Sequence, residues 1–206
     1  MYYVSMTEEK SNHSNKKTDE KLVRETLENR DAFVHLIDRY EIKLYHYIRR
    51  ITNVSPEEAE DILQEIFLKT FRNLTDFDTD LKFSSWIYRI AHNQVVSSFR
   101  KKRIRAENFS VELSEEMIET LASKLDLEKE MDLKLLKQKL DNVLGKLKKK
   151  HREVLFLRFL EEKSYKEISD IIMKPQGTVA TLIKEAKQEC LKEFQKNNLN
   201  MRYDQA

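Results

Sequence analysis

Two glycines and two prolines in 206 residues leave this chain almost without the residues that tight turns require. At average usage of about 7% glycine and about 5% proline, roughly 25 would be present. Hairpin turns, β-bulges and glycine-rich phosphate loops all draw on them, so β-rich and phosphate-loop folds are excluded and an all-α protein is expected. The length suits two small cores rather than one. A 40% hydrophobic content can fill them, and a 36% charged content, against about 25% on average, marks heavily solvated helix faces.

The single cysteine, Cys190, permits neither an internal disulfide nor a cysteine-based zinc site, which fits a reducing compartment. No run of 18 apolar residues occurs, and Met1 to Lys21 is polar rather than basic and then apolar. A soluble, cytoplasmic protein without membrane insertion is expected. The formal net charge of +2 conceals a strong asymmetry. Residues 106–135 hold 9 acidic and 3 basic groups, whereas 136–206 hold 16 basic and 10 acidic ones. The region before the acidic segment ends in Arg100-Lys101-Lys102-Arg103, with Arg105 just beyond, and the region after it carries Lys148-Lys149-Lys150 and Arg152. Basic patches on a helical frame suggest a polyanion such as nucleic acid, although lysines also simply solvate a helix face.

Apolar residues Phe33, Leu36, Ile37, Tyr40, Leu44, Tyr47, Ile48 and Ile51 recur at spacings of three and four and predict one long amphipathic helix. A shorter helix should precede it, with Thr18 as N-cap. Ser55-Pro56-Glu57-Glu58 combines a capping box with proline at the first helical position. The helix it opens turns Ala59, Ile62, Leu63, Ile66, Phe67 and Phe71 to one side and Asp61, Gln64 and Glu65 to the other. A polar loop, about Leu74 to Lys82, leads to Ser84 as the expected cap of a helix through Trp86, Ile87, Ile90, Ala91 and Val95. After Arg105 the periodicity weakens, as in a linker or weakly helical tether. Fully extended, its 32 residues would reach roughly 100 Å at about 3.3 Å each. Leu136, Leu140, Val143, Leu144 and Leu147 begin a second domain, followed by Val154, Leu155 and Leu157. A second capping box, Ser164-Tyr165-Lys166-Glu167, precedes Ile168, Ile171 and Ile172. Met173 to Gly177 is a break before a last helix with Val179, Leu182, Ile183, Ala186, Cys190 and Phe194. Two helices around a tight break have the form of a helix-turn-helix. The expected organisation is therefore a disordered tail over 1–17, a helical domain over 18–103, an acidic linker over 104–135, a helix-turn-helix domain over 136–196 and a tail over 197–206.

Three stretches carry a more specific signal: Ala59 to Phe67, Phe83 to Asn93, and His151 to Val154 continuing through Ser164 to Ile168 and Gly177 to Val179. In them Asp31 to Arg103 resembles region 2, and Leu136 to Phe194 region 4, of bacterial sigma factors. That pairing resembles the extracytoplasmic-function (ECF) sigma factors of the sigma-70 family. The resemblance implies a dissociable subunit that binds core RNA polymerase, recognises promoter DNA and helps open it, with no catalytic residues, metal or cofactor of its own. It implies that Asp61, Gln64 and Glu65 dock on the clamp helices of the β′ subunit, with further contacts to the β subunit. A metal site from these residues is the enzyme alternative, but no histidine or second motif accompanies them.

Strand opening costs about 1–2 kcal/mol per stacked step, so a protein without ATP must capture bases once exposed. Stacking surfaces and hydrogen-bond donors do this at about 1–3 kcal/mol per base. The loop Phe77 to Lys82 with Phe83, Trp86, Tyr88, His92 and Asn93 contains both kinds of group, although Trp86 lies on the apolar side. By resemblance, Phe83, Arg89, His92, Asn93, Arg100 and Lys101 face the minus-ten element, and Asn93 with the loop reads a flipped base. Lys174, Gln176, Thr178, Ala180, Thr181 and Lys184 would face the minus-thirty-five element in the major groove. Here the chain departs from the common pattern. Many members follow Gly-Thr-Val with Lys-Ser-Arg-Leu and a further basic residue, whereas this chain has Ala180-Thr181-Leu182-Ile183 and Glu185. Fewer cations imply a lower salt dependence at that site. An anti-sigma factor held between the domains is a further partner that the resemblance allows. Two rival readings remain: a helix-turn-helix regulator that never joins polymerase, and a helical interaction protein that binds an antagonist but not promoters.

Overall fold

The computed structural model describes residues 17–52, 54–78, 81–102, 115–125, 127 and 133–203, without side chains at 99–102, 133 and 197–203. The expected N-terminal tail and the two ends of the linker fall largely outside these residues, whereas residues 197–203 of the expected C-terminal tail continue the last helix. Every regular element among those described is helical. They are α1 (Asp19–Glu28), α2 (Phe33–Ile51), α3 (Pro56–Arg72), α4 (Phe83–Lys102), α5 (Glu115–Leu125), α6 (Leu133–Lys146), α7 (Lys149–Leu155), α8 (Tyr165–Ile172) and α9 (Gln176–Tyr203), with a π-helical turn, Phe156–Leu160, after α7. The chain divides into two compact units, one of residues 1–48 and 56–102, the other of 49–55 and 103–206.

The first unit is assembled around aromatic rings spaced seven residues apart on α2. Phe33 meets Phe67 and Phe71 of α3, with centroids 6.3 and 5.0 Å apart. Tyr40 meets Phe83 at 5.6 Å and Tyr47 meets Tyr88 at 5.2 Å, both on α4. Seven residues are nearly two helical turns, so the three rings share one face of α2. Each such pair adds about 0.5–1.5 kcal/mol beyond the burial of its area. Thr18 caps α1, its hydroxyl oxygen accepting from the Lys21 N–H at 3.3 Å. The Asp19 carboxylate then accepts from Arg39, at 2.6 Å, and from the Tyr40 hydroxyl, which ties α1 to α2.

Helix α4 starts one residue before the expected cap. The N–H groups of Ser85 and Trp86 already donate to the Lys82 carbonyl, at 3.0 and 3.2 Å, because Phe83 is held in the ring cluster and begins the helix there. Ser84 therefore lies in the first turn.

In the second unit the core is aliphatic. Leu140, Val143 and Leu144 of α6, Val154 and Leu155 of α7, Ile168 and Ile171 of α8 and Val179, Ile183 and Ala186 of α9 are buried together. Part of the acidic segment also belongs to this unit. Helix α5 buries Ile118, Leu121 and Leu125 and packs on α6 and the π-helical turn. The eleven residues of α5 and residues 133–135 of α6 rise about 1.5 Å each, so the greatest reach of 104–135 falls from roughly 100 Å to about 80 Å.

Candidate nucleic-acid interface

On α3, Ala59, Ile62, Leu63, Ile66 and Phe67 are buried, while Asp61, Gln64 and Glu65 are exposed. The three polar residues continue at the same spacing into Leu68, whose side chain is 47% exposed. Sequence reasoning missed Leu68, although its position at i+7 from Asp61 lies outside the apolar stripe. A shallow groove runs beside this face, lined by Ile37, Glu41, Leu63, Gln64, Leu68 and Phe71. It is mainly apolar, and Ile42, 67% exposed, stands next to it on α2. Helix α3 thus presents an acidic edge beside an exposed apolar residue and a mainly apolar groove.

On α4 the expected DNA-facing residues separate into two groups. Phe83 is fully buried between Tyr40, Phe77 and Trp86, and Tyr88 is 1% exposed against Tyr47. Neither ring can stack on a base without leaving the core, so Phe83 is a scaffold residue rather than a contact. Trp86 is half-buried, its ring 5.1 Å from that of Phe77. Arg89 and Asn93, four residues apart on one face, are exposed, and His92 is half-buried. The side chains of Arg100 and Lys101 lie outside the described residues, as do Thr79 and Asp80 of the preceding loop.

The helix-turn-helix is formed by α8 and α9. The capping box of Ser164 and Glu167 is complete: the Ser164 oxygen accepts from the Glu167 N–H at 3.2 Å, and the Glu167 carboxylate accepts from the Ser164 N–H at 2.8 Å. The break is shorter than expected, spanning residues 173–175. Met173 is left-handed at φ 55°, and Ser169 grips the next residue twice, donating its hydroxyl to the Lys174 carbonyl at 2.6 Å and accepting the Lys174 N–H at its own carbonyl. Gly177 is not the turn residue. It lies in the first turn of α9 with helical backbone and open space where a Cβ would stand.

Lys174, Gln176, Thr178, Thr181 and Lys184 are exposed on this edge, and Ala180 is half-buried. The Thr181 hydroxyl donates to the Gly177 carbonyl at 3.0 Å, so towards DNA it offers lone pairs and a methyl group rather than a free proton. The basic run at the start of α7 is less available than its sequence suggests. Arg152 is 5% exposed, donates to the Leu144 carbonyl at 3.0 Å, and burial lowers its pKa to about 10. Lys149 is half-buried, which lowers its pKa, whereas Lys148 and Lys150 are exposed.

Residues 36–104 match the family model of sigma-70 region 2, and residues 137–190 match that of sigma-70 region 4. The chain is similar to the ECF RNA polymerase sigma factor SigW of Bacillus subtilis, at 32% identity over 170 residues, 81% of this chain and 90% of that one. The chain belongs to the ECF sigma factors of the sigma-70 family. It is similar also to the ECF RNA polymerase sigma-E factor of Escherichia coli, at 30% identity over 83% of this chain and 91% of that one. Its fold is shared with CnrH, solved in complex with the cytosolic domain of CnrY, at a TM-score of 0.60 and 22% identity, covering 85% of this chain and 96% of the other. RpoE of Bartonella quintana, solved with the anti-sigma factor NepR, gives 0.60 at 18% identity, covering 79% and 96%. As an ECF sigma factor the protein acts in transcription initiation, with RNA polymerase and promoter DNA as its partners. No helix among the described residues is long and apolar enough to cross a membrane.

Proposed function

We propose that α3 docks on the β′ clamp helices of core RNA polymerase, with Asp61, Gln64 and Glu65 setting register and Leu68 supplying the apolar centre. The observation that carries this reading is the exposed stripe on α3, polar at three positions and apolar at the fourth, on a helix whose other side is fully committed to the core. Charges at such an edge steer association and exclude wrong partners. The same reading assigns Arg89, His92 and Asn93 to the minus-ten element and Lys174, Gln176, Thr178, Thr181 and Lys184 to the minus-thirty-five element. Arginine and lysine would position the protein on phosphates, while Gln176 and Thr181 would read base edges or a thymine methyl.

The protein on this reading is not an enzyme: it works in the cytoplasm, and polymerase performs the chemistry. An anti-sigma factor is the class of partner that would restrain it. The test is direct binding to core polymerase. Replacing both Asp61 and Glu65 with arginine should weaken core affinity roughly tenfold to a hundredfold and leave the thermal unfolding of the free chain unchanged. Unaltered core affinity would refute the docking face. Asn93→Ala should impair promoter opening, measured by permanganate reactivity of unpaired thymines, more than it impairs binding to closed duplex.

A further inference from the structure

The first unit carries a basic cleft that none of the three sequence motifs covers. It has a volume of about 330 Å³ and lies between the end of α1, the end of α3 and the 3₁₀ turn Leu74–Asp76. Arg30 and Arg72 both line it, and no carboxylate does. Glu28, Asp31 and Asp76, close to lining residues in sequence, are exposed outside the lining. Both arginines are exposed, and among the described residues neither pairs with a carboxylate. Two unpaired guanidinium groups at one cleft attract an anion, and their planar forks suit the oxygens of a phosphate.

The rest of the lining suits a nucleotide better than a bare ion. The Arg30 guanidinium lies 5.7 Å from the centroid of the Phe71 ring, and that ring is seated on Phe33 at 5.0 Å. Leu27, 46% exposed, adds apolar surface beside them. The Thr75 hydroxyl has no hydrogen-bond partner among the described residues. Phosphate, sugar and base thus each find a matching group. Leu74 and Thr75 also open the loop to Lys82, which the sigma factor resemblance gives to the flipped base. The start of that loop is one wall of the cleft.

We infer that this cleft holds the unpaired nontemplate strand beside the flipped base, with Arg30 and Arg72 on backbone phosphates and Leu27 and Phe71 against the sugar and base between them. This rests on the sigma factor reading. The contacts form only once the strands have separated, so they favour the open promoter over the closed one. An acidic peptide would also satisfy the arginines, but the wall shared with the loop favours DNA.

The test uses holoenzyme reconstituted from core polymerase and the full chain, and a promoter fragment that this holoenzyme selects from a random-sequence library. Its nontemplate strand alone and its closed duplex are titrated at several salt concentrations. For the single strand, replacing both arginines (Arg30→Gln with Arg72→Gln) should lower the slope of log affinity against log salt by about 1.4, which is about 0.7 for each phosphate released. A fourfold rise in salt would then cost the wild type roughly sevenfold more affinity than the variant. The paired lysine variant, Arg30→Lys with Arg72→Lys, should keep the wild-type slope, and the duplex slope should be the same in all three proteins. Thermal unfolding of the free variants checks that they fold. An unchanged single-strand slope, or an equal fall for duplex, would overturn the inference. Arg30 and Phe71 also border the groove beside α3, so a loss of core affinity in the glutamine variant would overturn it in favour of an acidic protein surface. Failure of the wild type itself to bind core would instead sink the sigma reading, and the inference with it.

Discussion

Helices α4 and α9 carry the minus-ten and minus-thirty-five contacts in this account, and they are built differently. The start of α4 is seated in aromatic rings, and its outward face carries Arg89 and Asn93, with a basic run at its end. Helix α9 is seated in aliphatic side chains, and its outward face alternates Lys184 with Gln176, Thr178, Thr181 and Glu185, with Lys174 in the break just before it. Cations give a contact affinity and salt dependence, whereas uncharged groups at base edges give discrimination with little of either. The first unit is therefore expected to supply most of the electrostatic attraction, and the second to contribute selectivity through few, weakly charged contacts.

The strongest way to break this comparison is to remove the rings under α4. Phe83→Ala should destabilise the protein by about 3–5 kcal/mol, as truncation of a buried phenylalanine does, read by urea unfolding. A loss of promoter binding with unchanged stability would mean instead that Phe83 touches DNA. The difference in charge can be probed next. Arg89→Ala should lower the slope of log affinity against log salt by about 1, in holoenzyme binding to promoter fragments. Thr181→Val should leave that slope unchanged and alter preference among minus-thirty-five sequences. A change of slope with Thr181→Val, and none with Arg89→Ala, would reverse the division of labour. The smallest expected effect concerns backbone. Gly177→Ala should raise stability by about 0.4–1 kcal/mol, because the position is helical and open. Destabilisation there would show that Gly177 is needed for the turn after all.

Much of this architecture was legible because helical spacing is a local signal. Thr18, Pro56 and Ser164 mark helix starts by the chemistry of their own side chains or rings, and the apolar stripes of α2, α3 and α9 follow from spacings of three and four. The errors came where local and distant information disagree. Phe83 opens a helix beside a polar loop, and nothing in its neighbours says that Tyr40, more than 40 residues earlier, covers it. Arg152 sits in a basic run, and only the fold of α6 brings the Leu144 carbonyl to its guanidinium. Gly177 falls within the expected break of residues 173–177, yet it lies in the first turn of α9 and Met173 takes the left-handed conformation. Helix α5 was masked by its acids, although Ile118, Leu121 and Leu125 have helical spacing and Glu115 and Glu116 stand at its N-terminus. Arg30 and Arg72 line one cleft from separate elements, which the sequence around neither of them shows.

Promoter-directed transcription by reconstituted holoenzyme tests the central claim most directly. Core polymerase, alone and with this protein, is assayed after a heparin challenge for run-off transcription from a promoter fragment that the holoenzyme selects from a random-sequence library. The account expects heparin-resistant transcripts that depend on the protein, and a lower yield when Asp61 and Glu65 are both replaced by arginine. Contradiction would come from a folded protein that binds duplex DNA unaided but neither binds core nor directs initiation.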